Sequence, residues 1–287
     1  MDDARLIEQL GTILDEPVRG LSRLSGGCVA DVRMAELAGG GRVVVKAGAA
    51  GSKLDLEGWM LGVLRERSSL PVPGVLHASD ELLVIEHIEH DGIGGATGEA
   101  HAAELLAEVH SIEPACGRYG LERDTLIGPL DQPNGWMDDW AAFFADRRLR
   151  AMGAEAERAG RIDAALARRV EAAADRAAEI IGEPGRAGLI HGDVWSGNVL
   201  FDRGRVAGLI DPSVYYADPE IELAFIALFS TFGERFFARY AERRNIRAGF
   251  FERRCGFYNL YPLLVHARLF GGSYPGAVAR TLSGLGL

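Results

Sequence analysis

Between His191 and Pro212 the chain sets Asp193, Asn198 and Asp211 at spacings that leave few folds open. The run is His191-Gly192-Asp193-Val194-Trp195-Ser196-Gly197-Asn198, followed by Leu209-Ile210-Asp211-Pro212. Asn198 lies five residues after Asp193, and Asp211 thirteen after Asn198. Val199-Leu200-Phe201 and Val206–Ile210 lie between them as two short apolar runs, which read as the strands of a hairpin. A loop followed by a hairpin brings Asp211 back beside Asp193 and Asn198.

Taken singly, these pieces say little. His-Gly-Asp and Asp-Pro are common turn sequences. In combination they match the offsets of a kinase catalytic loop, in which an Asp and an Asn are followed one hairpin later by a metal-binding Asp. The chemistry explains the residue types. Mg²⁺ takes hard oxygen ligands in octahedral geometry. Asp211 and Asn198 are therefore the candidate metal ligands, and Asp193 is the candidate catalytic residue, facing the incoming hydroxyl. In a loose phosphoryl-transfer transition state the nucleophile is deprotonated late, so a carboxylate of ordinary pKa suffices. His191 reads as a residue that orders the loop rather than as a base.

A second signal sits near the start of the chain. Lys46 closes the β-branched run Val43-Val44-Val45, and Glu57 follows eleven residues later in a helical segment. Such a pair holds a lysine against the α- and β-phosphates of a nucleotide. Glu57 stands among Leu54, Leu56, Met60 and Leu61, where a charge requires a partner. Upstream, Ser25-Gly26-Gly27-Cys28 is a tight Gly-rich turn but not a Walker A loop, because the final Gly-Lys-Ser/Thr is missing. Its backbone N–H groups are candidates to cover the phosphates. Cys28 reads first as a small hydrophobe, with an oxidation-sensitive thiol beside ATP as the sharper alternative. Glu86 and Ile88, where the last strand of this region meets a connecting segment, complete the nucleotide-binding candidates.

The first 88 residues read as an antiparallel meander with two helices. Ala4 to Leu14 is amphipathic, Gly39-Gly40-Gly41 marks a hairpin, Leu54 to Arg65 reads as a helix, and strands are expected at Val75–Ala78 and Leu82–Glu86. His87 to Glu99 is polar and Gly-rich and reads as a hinge. From His101 onward helices dominate, including one continuous helix through Ile162, Leu166, Val170, Ala173, Ala177 and Ile181. This predicts an α+β chain with a nucleotide-binding part at 1–88 and a catalytic and substrate-binding part at 89–287.

Bulk properties exclude several classes. A formal net charge of -10 is the wrong sign for gripping nucleic acid. Cys28, Cys116 and Cys255 form no CxxC pair, which argues against a disulfide framework or structural zinc and for a reducing cytoplasm. The acidic start, Met1-Asp2-Asp3-Ala4-Arg5, is unlike a signal peptide, and no apolar run is long enough to span a bilayer.

With these residues in hand, the sequence resembles the fructosamine/ketosamine kinases of the aminoglycoside phosphotransferase-like group. The resemblance rests on Leu24 to Cys28, on Asn134 through Leu149, on His191 to Leu200, on Ile210-Asp211-Pro212 with Val214-Tyr215-Tyr216 and Asp218, and on Leu269-Phe270-Gly271-Gly272-Ser273-Tyr274. The Trp-Ser-Gly run after Asp193 separates this family from aminoglycoside and choline kinases. The resemblance implies a two-lobed, protein-kinase-like fold, with a five-stranded sheet in the N-lobe and a helical C-lobe. It implies ATP, Mg²⁺ and phosphorylation of the 3-hydroxyl of a ketoamine, free or on a glycated protein, whose breakdown then releases the amine. By similarity, Asp193 is the catalytic base, Asn198 and Asp211 bind metal, Lys46 binds phosphate, and Trp195 lies against the sugar; a core aromatic is the alternative for Trp195. Two departures stand out. Glu222 replaces the more usual Asp, which bears only on loop bracing. Pro212 after Asp211 argues against an activation-loop flip. The competing readings are a kinase for an aminoglycoside, choline or another sugar, and a catalytically dead nucleotide-binding module. The second is disfavoured because Lys46, Asp193, Asn198 and Asp211 are all present. The oligomeric state is left open by the sequence.

Overall fold

The computed structural model describes residues 3–24 and 31–287. The chain opens with α1 (Asp3–Leu14) and continues through β1 (Val18–Arg23), β2 (Asp31–Leu37), β3 (Arg42–Ala47), α2 (Leu54–Arg67), β4 (Val75–Ala78) and β5 (Leu82–Glu86). The strands form one antiparallel sheet in the order β1-β2-β3-β5-β4. β3 is central, and its alternation sets up the site. Val43 and Val45 point to one face, where they pack with Leu6 and Leu10 of α1 and with Ala35, Leu82 and Val84. Val44 and Lys46 therefore point to the other face, the one α2 covers. There Gly58 lets the helix press on the sheet: a Cβ at this position would lie 2.8 Å from that of Ala78.

After Glu86 the chain crosses to a larger, mostly helical part. It contains α3 (Gly95–Val109), the hairpin β6 (Thr125–Ile127) and β7 (Leu130–Gln132), α4 (Trp140–Phe143), a π-helical stretch at Phe144–Arg150, α5 (Ala151–Arg158), α6 (Ala164–Asp175) and α7 (Ala177–Ile181). Four short strands follow: β8 (Gly188–Ile190), β9 (Val199–Asp202), β10 (Arg205–Leu209) and β11 (Tyr215–Ala217). β9 pairs with β10, and β8 with β11, both antiparallel. The chain ends with α8 (Glu220–Leu228), α9 (Glu234–Arg243), a second π-helical turn at Phe250–Arg254, α10 (Cys255–Phe270) and α11 (Tyr274–Gly284).

The main core fills this second part and reaches up to include Leu56, Met60, Leu61 and Leu64 of α2 and Leu83 and Ile85 of β5. A smaller core lies under α1. So α2 is buried on both sides. This explains its weak amphipathicity: seven of its residues are buried, and they do not form a single stripe. No helix among the described residues is long and apolar enough to cross a membrane.

The antiparallel meander and the helical second part stand as expected from the sequence. β4 and β5 have the expected bounds. Three expectations need correction. The polar segment read as a hinge up to Glu99 is shorter, because α3 starts at Gly95. The continuous helix through Ile181 is two helices, broken at Arg176. The β6–β7 hairpin interrupts a region read as helical; each of its strands is only three residues long, too short for a period-2 signal.

Candidate active site

The β8 strand delivers the candidate catalytic loop and the β9–β10 hairpin returns the chain to it. Val194 is fully buried and serves as the loop's apolar anchor, its carbonyl accepting a 3.1 Å bond from the Thr231 hydroxyl. Gly192 adopts φ 89°, and a Cβ there would lie 2.2 Å from the Ser213 carbonyl oxygen. Only glycine fits against the Ser213 backbone at this point. The Ser213 N–H donates to the His191 carbonyl at 2.7 Å, stitching the loop to the residues just after Asp211.

The Asn198 amide donates from Nδ2 to both the Asp193 carboxylate (2.9 Å) and the Asp193 carbonyl (3.0 Å). This fixes the amide orientation and leaves its oxygen, Oδ1, as the atom offered to a cation. Asp211 sits at φ 56°, a left-handed conformation uncommon for a residue with a side chain and characteristic of functional positions. Its Oδ1 accepts from Lys46 Nζ at 2.5 Å, and the same ammonium reaches Glu57 Oε1 at 2.6 Å. Lys46, from the central strand of the sheet, thus joins the helix carrying Glu57 to the loop carrying Asp211.

Electrostatics follow from this geometry. Burial works against the Lys46 charge, but the carboxylates of Glu57 and Asp211 outweigh it and raise its pKa. Burial pushes Glu57 up while Lys46 pulls it down. Asp193 is pushed up to about 7, chiefly by burial and then by the charge of Asp211, while the Asn198 bond opposes the rise. An ordinary carboxylate would have sufficed by the sequence reading; burial and the Asp211 charge make Asp193 a stronger candidate proton acceptor than that.

The site residues also fit a hard divalent cation. Among the described residues no three His, Cys, Asp or Glu side chains converge as a ready-made metal cage. What the cleft offers is the Asp211 carboxylate and the Asn198 amide oxygen. A few oxygen donors of this kind suit Mg²⁺, which keeps several waters and takes phosphate oxygens from its substrate.

A family model for fructosamine kinase matches residues 4–285. The chain belongs to the fructosamine kinase family. A Synechocystis sp. protein provisionally named a ketoamine kinase is 35% identical over 201 residues, covering 69% of this chain and 65% of its own length. The chloroplastic protein-ribulosamine 3-kinase of Arabidopsis thaliana is 28% identical, over 88% of this chain and 78% of its own. A crystal structure from Thermobifida fusca, provisionally named a fructosamine-3-kinase, superposes with TM-score 0.87 at 26% identity and covers 98% of each chain. At under 25% identity, macrolide and aminoglycoside phosphotransferases share the two-lobed, protein-kinase-like fold. As a member of the fructosamine kinase family, the chain is an ATP-dependent phosphotransferase with an alcohol acceptor.

The remaining candidates of this kinase fall into place unequally. Ser25, Gly26, Gly27 and Cys28 lie outside the described residues. The Glu86 carboxylate accepts from the Gly74 N–H at 2.8 Å and faces Arg65 at 3.4 Å, so its side chain braces the turn before β4. Ile88 packs onto the backbone of β10, where a Cβ at Gly208 would lie 2.3 Å from its Cδ1. Trp195 is 42% exposed, which removes the core reading. Its indole lies over Gly197, where a Cβ would sit 2.4 Å from the ring.

One group of residues was underestimated from the sequence. Glu222, from α8, accepts the Gly192 N–H at 2.5 Å and the His191 N–H at 3.4 Å, directly behind Asp193. Its other partner is His110, at the end of α3, whose Nε2 lies 2.7 Å away and whose Nδ1 meets the Tyr240 hydroxyl at 2.7 Å. Burial alone would raise the Glu222 pKa, but the His110 bond and the loop amides lower it. The bracing role given to Glu222 is thus a direct grip on the His191–Gly192 backbone. Nothing near His110 in sequence marks it for this role, since its partner lies 112 residues away.

Proposed function

We propose that this kinase transfers the γ-phosphoryl group of ATP to the sugar 3-hydroxyl of a ketoamine, free or protein-bound, and so starts the breakdown that frees the amine. The observation that carries the reading is the pair of contacts from Lys46 to Glu57 and Asp211, in the same cleft as the Asp193–Asn198 pair. In this reading residues 1–88 form the nucleotide lobe and residues 89–287 the catalytic lobe.

Asp193 orients the acceptor hydroxyl and takes its proton as the bond to phosphorus forms. Lys46, held by Glu57, neutralises the α- and β-phosphates. Asn198 Oδ1 and the Asp211 carboxylate hold Mg²⁺, which when bound offsets charge on the phosphate oxygens. The backbone of Ser25 to Cys28 covers the phosphates, and the chain at Glu86 and Ile88 meets the base. Glu86 acts here through its main chain, because its carboxylate is engaged with Gly74. Trp195, exposed beside Asp193, offers an aromatic face to the C–H bonds of the sugar.

The decisive experiment is a panel of ribulosamine and fructosamine acceptors incubated with Mg²⁺ and ATP and read by the mass gain of a phosphoryl group. Turnover is expected on at least one ketoamine. Turnover on aminoglycosides alone would replace the acceptor while keeping the nucleotide chemistry. A second expectation concerns the metal site. Asp211→Ala removes a ligand and one of the two partners of Lys46. Titration of the nucleotide with and without Mg²⁺ should show the magnesium-dependent gain in affinity lost in this variant. An undiminished gain would take Asp211 out of the metal site.

A further inference from the structure

We propose that residues 122–132, centred on the β6–β7 hairpin, form a strut that sets the position of α2 relative to the Asp211 loop, with Arg123 and Asp131 as positioning residues for nucleotide binding. The inference rests on the reading of Lys46 and Glu57 as the phosphate-holding pair.

Three contacts run from this segment to α2 and its N-terminal flank. Arg67, the last residue of α2, bonds Glu122 at 3.1 Å. The Arg123 guanidinium lies over the Trp59 ring, 4.8 Å from its centre, in the middle of the helix. Lys53, immediately before the helix, pairs with Asp131. Together they tie both ends and the middle of the element that presents Glu57.

The same segment is fixed from below to the metal loop. Gln132 is 1% exposed, and its amide donates to the Thr125 hydroxyl at 2.9 Å and to the Ser213 carbonyl at 3.2 Å. Its side-chain oxygen, Oε1, accepts from the Tyr261 hydroxyl at 2.8 Å. Ser213 is two residues beyond Asp211. A continuous path of contacts therefore runs from α2 through the hairpin to the Asp211 loop. It closes a circuit with the short bridge Glu57–Lys46–Asp211 on the cleft side. Lys46 can reach both carboxylates only when α2 and the loop stand at the right separation, and the strut sets that separation from behind.

Such a device has a distinct signature. Loss of the strut should misplace Glu57 and weaken nucleotide binding without touching the proton acceptor. The test uses the full-length protein with Arg123→Ala and Asp131→Ala combined, both changes at side chains outside the core. KM for ATP is expected to rise three- to tenfold, with kcat and KM for the acceptor changed less than twofold and the thermal midpoint nearly unchanged. Glu57→Gln is measured alone and on top of the double change. If the strut acts through Glu57, the combined effect on KM for ATP will be smaller than the product of the separate ones. Arg123→Lys, which restores a cation over Trp59, should recover part of the loss. A KM for ATP within twofold of the parent, while Glu57→Gln raises it, would overturn the strut and leave the phosphate-holding pair intact. If Glu57→Gln itself leaves KM for ATP unchanged, the pair fails and the strut falls with it.

Discussion

Asp193→Asn should cut turnover by about 10²–10⁴-fold while the protein still binds Mg²⁺ and ATP, the range expected when a positioned proton acceptor is lost. The amide keeps an oxygen for the 2.9 Å bond from Asn198, so the loop has no reason to collapse. The same variant should be more stable than the parent above neutral pH. Burial and the nearby Asp211 charge push the Asp193 carboxyl up to about 7, far above its value in an unfolded chain. Below about pH 4 the group is neutral in both states and costs nothing. Above pH 7 it is ionised in both states, and the folded one bears the penalty in full. Removing the charge should therefore raise the thermal midpoint at pH 8, with a gain between about 1 and 4 kcal/mol that fades as the pH falls toward 4. A rate within tenfold of the parent would end the catalytic role of Asp193. A midpoint lower than the parent's at pH 8 would show that its ionisation costs the fold nothing.

The second large effect lies away from the cleft. Glu220 is 4% exposed and takes both Arg254 Nε (2.6 Å) and Arg254 Nη2 (3.0 Å), while also accepting from the Arg247 backbone and guanidinium. Arg247 in turn pairs with the buried Asp218, which the Tyr258 hydroxyl also bonds at 3.1 Å. Glu220→Ala strands the Arg254 guanidinium, 8% exposed, without an acidic partner among the described residues. Breaking a buried pair by removing one member costs about 3–5 kcal/mol, because the remaining charge stays desolvated. Urea unfolding at 25 °C should show a loss of that size, with the unfolding slope unchanged. Glu220→Gln, which keeps one oxygen to accept from the arginines, should lose less. A loss below about 1 kcal/mol for the alanine variant would mean that water reaches the cluster.

This network marks the boundary of what one sequence reveals. Lys46, Asp193, Asn198 and Asp211 could be picked out because each stands in a local pattern: a β-branched run, or a loop and hairpin of set length. The sheet strands were readable for the same reason. Arg148 shows the opposite case. It lies among three arginines, Arg147, Arg148 and Arg150, where a solvated surface is the natural reading, yet its side chain is fully buried. Its guanidinium lies 4.0 Å from the ring centre of Tyr215 and bonds the Pro133 carbonyl at 2.6 Å. Those partners are distant in sequence or offer no charge, so no local spacing announces them. The raised pKa of Asp193 was hidden for the same reason, since desolvation is set by the whole surrounding fold. The short β6–β7 strands were hidden because their order comes from Gln132, Asn134 and Thr125 bonding to one another and to their surroundings.

The resting place of the Trp195 indole constrains how this enzyme can diversify. A side chain at Gly197 would meet the ring where it now rests, so the indole two residues away would have to move to admit one. Because the indole is exposed and can swing aside, a side chain at position 197 would be felt at the acceptor surface, through the displaced tryptophan, before it was felt by the fold.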